Sequence, residues 1–165
     1  MASNVIENGL AALKFARDAT LGFLEDIPAD KVLHQLTPGG NHALWITAHI
    51  ALTDDDLLSG VGGRDRKCPE NWTRLFGMGS KPVGDAGAYP AYDEIKQSLH
   101  ERREELTAWF KSMNESQSAA PLPKDFEFFA PNHAALASSL AWHEGMHAGQ
   151  LTMIRRDLGI GPKYT

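Results

Sequence analysis

Four segments of this 165-residue chain carry apolar residues at helical spacing, and no run alternates with period two over a convincing length. The first, from about Ser3 to Glu25, places Ile6, Leu10, Leu13, Ala16, Thr20 and Leu24 on one stripe. Asn4 followed by Glu7 makes a capping pair there. The second runs from about Asn41, its expected N-cap, to Leu58, with Trp45, His49, Leu52 and Asp56 on one face. The third, from about Pro90 to Ser112, turns Ile95, Leu99, Leu106 and Phe110 inward. The fourth, from about Pro131 to Leu158, lines up Leu136, Leu140, His143, His147, Ile154 and Leu158. Pro131 suits a first helical turn and Gly159 the position just past the end. Four such stripes must be buried against one another, so the expectation is an all-α four-helix bundle. Between the second and third segments lies a Gly- and Pro-rich stretch, Ser59 to Pro90, long enough to serve as a lid or to be a surface excursion pinned by Trp72. Within it Trp72, Leu75 and Phe76 predict one helical turn.

Length fits one domain, 1–165, able to bury a core without disulfides. The net charge of −5 offers no excess of Lys and Arg to neutralise phosphates, so nucleic acid is not an expected partner. No apolar stretch approaches the ~20 residues of a membrane helix, and no membrane partner is expected. The segment MASNVIENGL lacks the pattern of a secretory signal, and Cys68 is the only cysteine. A cytoplasmic location is the expectation from both.

Seven histidines are many for this length. His143 and His147 stand four residues apart, about 40° around the axis and roughly 6 Å along it, and both fall on the apolar face. Two imidazoles so placed can clamp a divalent ion. The same residues spell His143-Glu144-x-x-His147, the zinc-peptidase pattern in which the glutamate is general base. That pattern needs a third ligand downstream. The eighteen residues after His147 hold no histidine and no glutamate, and Met153 stands where an extended motif has its third histidine. A third ligand must come from upstream, and His49, on the inner face of the second segment, is the best candidate. Three protein ligands leave positions open for water or substrate.

The remaining polar residues carry weaker signals. Gln150 lies within roughly 60° of both histidines, where it can orient a ligand, touch a substrate or simply bridge helices as a buried amide. Glu144 points about 80° away from the pair, toward bound water or into a helix interface. His42, about 10 Å from His49 along the helix, is expected to face solvent, and so is Asp54; Asp56 shares the His49 face. His34, His100 and His133 read as surface or cap residues. Cys68, beside Lys67, is either an inert loop thiol or one with a somewhat lowered pKa.

Together these pieces resemble the DinB/YfiT-like family of small metal-binding four-helix proteins. The resemblance rests on Asn41-His-Ala-Leu-Trp45-Ile-Thr-Ala-His49-Ile50, on His143-x-x-x-His147-Ala-Gly149-Gln150-Leu151 and on Ile154-Arg155-Arg156-Asp-Leu-Gly159. Trp72-Thr-Arg-Leu-Phe76-Gly is similar to the segment between the second and third helices of some members. It implies an up-down-down-up bundle, a homodimer, and a metal site carried by His49, His143 and His147. Zinc or nickel is the implied ion, with iron or manganese next. Many members have a His-His pair before the Gly-Gln; Met146 replaces the first here and leaves the ligand set intact. Three functions are implied or compatible: a metal-dependent hydrolase of a small-molecule substrate, with Glu144 and Gln150 as catalytic candidates; a thiol S-transferase using a low-molecular-weight thiol such as bacillithiol or mycothiol; and a non-catalytic metal-binding stress protein.

Overall fold

A computed structural model describes residues 2–163, with side chains from Val5 onward. It is helical throughout, with no strand among the described residues. The four long segments are α1 (Ala2–Glu25), α2 (Ala43–Gly60), α4 (Tyr92–Lys111) and α6 (His133–Asp157). The helical turn expected around Trp72 is α3 (Trp72–Phe76), and a short α5 (Glu115–Ala119) follows α4. Sequence periodicity did not reveal α5, which is a single turn set by a capping box between Asn114 and Gln117.

The predicted stripes are the buried ones. Ile6, Leu13, Ala16 and Thr20 of α1, Ile95, Leu99, Leu106 and Phe110 of α4, and Leu136, Leu140 and Ile154 of α6 are all inside. α2 differs: it is buried on nearly every side, from Ala43 through Leu58, because it runs through the middle of the core. Asp54 and Asp55 are therefore fully buried, which corrects the expectation of a solvent-facing Asp54.

α1 packs mainly on α6, and α2 on α4. Along the first pair, Gly9 meets Ala137, Arg17 meets Glu144 and Asp26 meets Arg155. At Gly9 the backbones are so close that a Cβ would come within 2.8 Å of the Ala137 methyl carbon. Along the second pair, Thr47 meets Tyr92, Asp54 meets Arg103 and Gly62 meets Trp109. Between α2 and α6 the order reverses: Asn41 reaches Gln150 and His49 reaches His143.

The helix ends carry two corrections. α2 is capped by His42 rather than Asn41, its ring Nδ1 accepting the Trp45 N–H at 3.1 Å. α6 is capped by Asn132, whose Oδ1 accepts from Ala135, so Pro131 lies before the cap. At the other end Gly159 adopts φ 76°, and the N–H groups of Gly159 and Ile160 close back on Arg156 and Arg155. This is the left-handed stop expected of a glycine there. α1 begins at Ala2, and the Asn4 side chain of the expected capping pair lies outside the described residues.

Candidate metal centre

α2 and α6 bring the three histidines together. One ring nitrogen from each of His49, His143 and His147 lies within 4.8 Å of the other two, a group able to hold a metal ion. The Nε2 of His143 stands 3.3 Å from the Nε2 of His49 and 3.3 Å from that of His147. Ligands about 2.1 Å from one ion at the tetrahedral angle would stand ~3.4 Å apart, so the spacing suits a shared divalent ion.

The other ring nitrogens fix which lone pairs are free. His49 Nδ1 donates to the Phe76 carbonyl at 2.7 Å, and His147 Nδ1 donates to Gln150 Oε1 at 3.0 Å. Each bond assigns the proton to Nδ1 and leaves the Nε2 lone pair facing inward, the arrangement that orients metal-binding imidazoles. Trp45 stacks on the His49 ring, with centroids 4.6 Å apart and planes 9° from parallel. Trp45 is itself held by its Nε1–H, which donates to Leu75 O and Ser80 Oγ. The end of α3 and the loop after it thus clamp the site through both residues.

Burial keeps these imidazoles neutral. It lowers the His49 pKa to about 4, with the neighbouring His147 adding to the effect. It lowers His143 to about 3, aided by His147, His49 and Arg103. His147 is lowered for the same first reason, against the opposing pull of Gln150 and Glu144. Neutral imidazole is the form that coordinates metal.

The cluster forms part of the wall of a cavity of about 960 Å³. Gln150 lines it beside His147. Asn41 Nδ2 donates to the same Gln150 Oε1 at 3.2 Å. With Oε1 receiving both Asn41 and His147, the Gln150 amide N–H groups are the ones left to face the cavity. Asn41 was read from sequence only as a cap; its place beside Gln150 carried no sequence signal.

Glu144 takes the second of the two directions its spacing left open, into the helix interface. It is fully buried and absent from the cavity wall. Its Oε1 accepts from Arg17 Nε at 2.6 Å and its Oε2 from Arg103 Nη1 at 2.7 Å. Arg103 also grips Asp54 with two hydrogen bonds, at 2.8 and 2.9 Å, and Arg17 reaches Asp54 at 3.4 Å and the Leu99 carbonyl at 3.0 Å. A general base must be free to receive a proton, and both Glu144 oxygens are engaged by guanidinium groups. Two cations and two anions, one from each long helix, thus form a closed cluster behind the histidines.

His42 is fully buried, which corrects its expected exposure. Its Nε2 donates to the Val83 carbonyl at 3.1 Å, away from the metal cluster. His34 pairs with Asp157 at 2.6 Å, and His133 Nδ1 meets the Ala120 carbonyl. Asp56 lines the cavity but is bound by Arg66 at 2.8 Å. Asp55 accepts the backbone N–H groups of Lys67 and Cys68 and so ties the loop to α2. Cys68 is buried, and that burial pushes its thiol up to about 12, so the inert reading holds and the lowered one does not.

No helix among the described residues is long and apolar enough to cross a membrane. A comparison with curated proteins returns no match. The model of the DinB superfamily matches residues 12–151, a span that contains all three clustered histidines, Asn41, Gln150 and the four-residue ion cluster. The chain therefore belongs to the DinB superfamily.

Proposed function

We propose that the protein is a metal-dependent hydrolase in which His49, His143 and His147 hold one divalent ion, zinc or nickel before iron or manganese. The observation that carries this reading is the convergence of three Nε2 atoms at the wall of a large cavity, with the Nδ1 protons of His49 and His147 already spent on Phe76 O and Gln150 Oε1. A divalent ion on three imidazoles supplies Lewis acidity and lowers the pKa of water toward ~7. The chain's own residues do the rest. Asn41 and His147 fix the Gln150 amide so that its N–H groups can donate to a substrate oxygen. The largely apolar lining lowers the local dielectric, which strengthens that hydrogen bond. The Arg17–Asp54–Arg103–Glu144 cluster holds the four helices in register behind the ligands; Glu144 is in this reading a positioning residue.

We also infer a bundle that runs up-down-down-up. In support, contacts advance together along α1 and α6 and along α2 and α4, and run oppositely along α2 and α6. A homodimer remains part of the proposal, by family likeness.

Metal content decides the central point. Protein purified without added metal is expected to carry close to one divalent ion per chain, and His49→Ala to lose it. Full occupancy in that variant would move the third ligand elsewhere. Turnover that appears only when a low-molecular-weight thiol is added would replace hydrolysis by S-transfer.

A further inference from the structure

The wall of the cavity says what kind of molecule fits it. Leu52 and Leu57 of α2, Trp142 and Met146 of α6, and Phe126 and Phe129 of the segment before α6 line it. Several of these large apolar groups face water: Trp142 is 71% exposed, and Phe128 and Met78, which also line the cavity, are 67% and 86% exposed. Side chains of this size left open beside a buried polar cluster are a binding surface for an apolar body. The groove is long. It follows α2 from Asn41 to Leu57 and α6 from Ser138 to Gln150, roughly 18–24 Å by helix rise. The histidines lie partway along it.

Charge narrows the class further. The lining contains two carboxylates, Asp56 and Asp125, and no lysine or arginine. Arg66 neutralises Asp56, and Asp125 has no ion-pair partner among the described residues. An anionic group on the body of a ligand would leave water for an apolar wall with no counter-charge, which is costly. Carboxylate-bearing thiols carry such charges, away from the reacting atom.

We infer that the cavity takes a neutral carbonyl compound, an ester or amide with an aryl or long alkyl body, its acyl carbon at the three histidines and its body along Phe129, Trp142 and Met146. This rests on the hydrolytic reading above for the chemistry at the acyl carbon, and on the cavity alone for the ligand's body. Hydrolysis of such a molecule joins the oxygen of water to the acyl carbon and breaks the acyl C–O or C–N bond. One proton of water goes to the departing alcohol or amine, and the other stays with the acid formed.

The test uses two fluorescent probes of nearly the same shape on metal-free protein: neutral N-phenyl-1-naphthylamine and anionic 8-anilinonaphthalene-1-sulfonate. The neutral probe is expected to bind one per chain, at least about tenfold more tightly than the anion. The double variant Trp142→Ser, Met146→Ser changes exposed α6 residues that do not support the core. It should weaken the neutral probe by about tenfold or more with the helical circular dichroism unchanged. Equal or tighter binding of the sulfonate, or unchanged binding by the double variant, overturns the assignment. So does a wild-type dimer in sedimentation that the double variant turns into a monomer, because the apolar wall would then belong to a second copy of the chain. On zinc-loaded protein, 4-nitrophenyl octanoate should be turned over and bis(4-nitrophenyl) phosphate should not; the reverse preference overturns the acyl class. Turnover of neither, with the probe pattern intact, overturns the hydrolytic reading and leaves standing an apolar cavity without lysine or arginine.

Discussion

The core of this protein holds two polar clusters that follow opposite rules. Arg17, Asp54, Arg103 and Glu144 come one from each long helix, balance to zero charge, and satisfy one another through short hydrogen bonds. In sequence they fall between the two apolar clusters of the core: Asp54 between Leu52 and Leu57, Arg103 between Leu99 and Leu106. His49, His143 and His147 come from two helices, are neutral, and turn their Nε2 atoms on one point, where they meet only one another. Burial opposes charge in both places, with different results. Asp54 and Glu144 outweigh it at Arg103, whose pKa lies above its ordinary value, whereas at Arg17 burial, with the neighbouring Arg103, prevails over the same two carboxylates and lowers the pKa. No such partner offsets it for His49 and His143, whose pKa values fall to about 4 and about 3. A closed cluster fixes structure; an open one has capacity left for a ligand.

The largest effect expected from this contrast comes from breaking the closed cluster. Arg103→Ala leaves Asp54 and Glu144 with only Arg17 and an uncompensated buried negative charge. It should cost about 3–5 kcal/mol of stability. A quadruple replacement of the cluster by apolar residues of similar volume should restore most of that loss, because the desolvation of all four charges disappears together. Denaturant midpoints for the two variants check this. If the single change were mild, the cluster would be a hydrated surface feature rather than a brace.

The open cluster should respond the other way. His49→Ala removes a neutral group and one hydrogen bond to Phe76 O, a cost of about 1 kcal/mol in metal-free protein. Its effect on bound metal should be near-complete loss. The cluster also sets a pH dependence. In the unfolded chain these histidines take protons near ~6.5, while in the folded metal-free protein His49 waits until about 4 and His143 until about 3. Between those limits the unfolded state binds more protons, so stability must fall as pH drops from 6.5 toward 4. Denaturation of metal-free protein at stepped pH reads this slope, and His49→Ala should make it shallower. An equal slope in that variant would assign the effect to other groups, His42 first, because its pKa is also lowered to about 4 by burial.

How much of this was legible from sequence follows the same contrast. The long helices were legible because their stripes repeat at 3.6 residues. The histidines were legible because imidazoles are conspicuous on an apolar face and four-residue spacing makes neighbours. The ion cluster was not. Asp54 sits in an Asp-Asp-Asp run and Arg103 in a Glu- and Arg-rich run, and both look like solvated faces. Only their tertiary partners distinguish them. One signal was available: the first turns of α2, Ala-Leu-Trp-Ile-Thr-Ala, are apolar or small on every side. A helix buried all round must bury its acidic residues too, and so must supply them with partners.

Gln150→Ala offers a smaller and more specific probe of the open cluster. It removes the acceptor of His147 Nδ1–H while leaving all three ligands in place. Outer partners of this kind change metal affinity or activity by about 10–100-fold. Asn41→Ala, which leaves His147 its acceptor but frees the Gln150 amide to flip, should affect metal affinity less than Gln150→Ala does. Metal titrations of both variants check the order. Equal losses would mean that Asn41 contributes more than the orientation of Gln150.

The smallest effect expected is at His42, which shares features of both clusters and belongs to neither. Like the ion cluster it is fully buried and satisfied; like the ligands it is a neutral imidazole on α2. Its Nδ1 accepts the Trp45 N–H as a helix cap, and its Nε2–H donates to Val83 O. Asparagine can supply the first bond and is too short for the second. His42→Asn should therefore be more stable than His42→Ala by about 1 kcal/mol, the usual worth of an N-cap. Both variants should retain metal, since the ring Nε2 is committed to the 77–90 loop and points away from the other histidines. Denaturant midpoints and metal content measured on the same samples separate the outcomes. Loss of metal in His42→Asn without loss of helix would show that the loop anchored at Val83 governs the ligand geometry. The clamp on Phe76 O and Ser80 would then be the more informative part of the site.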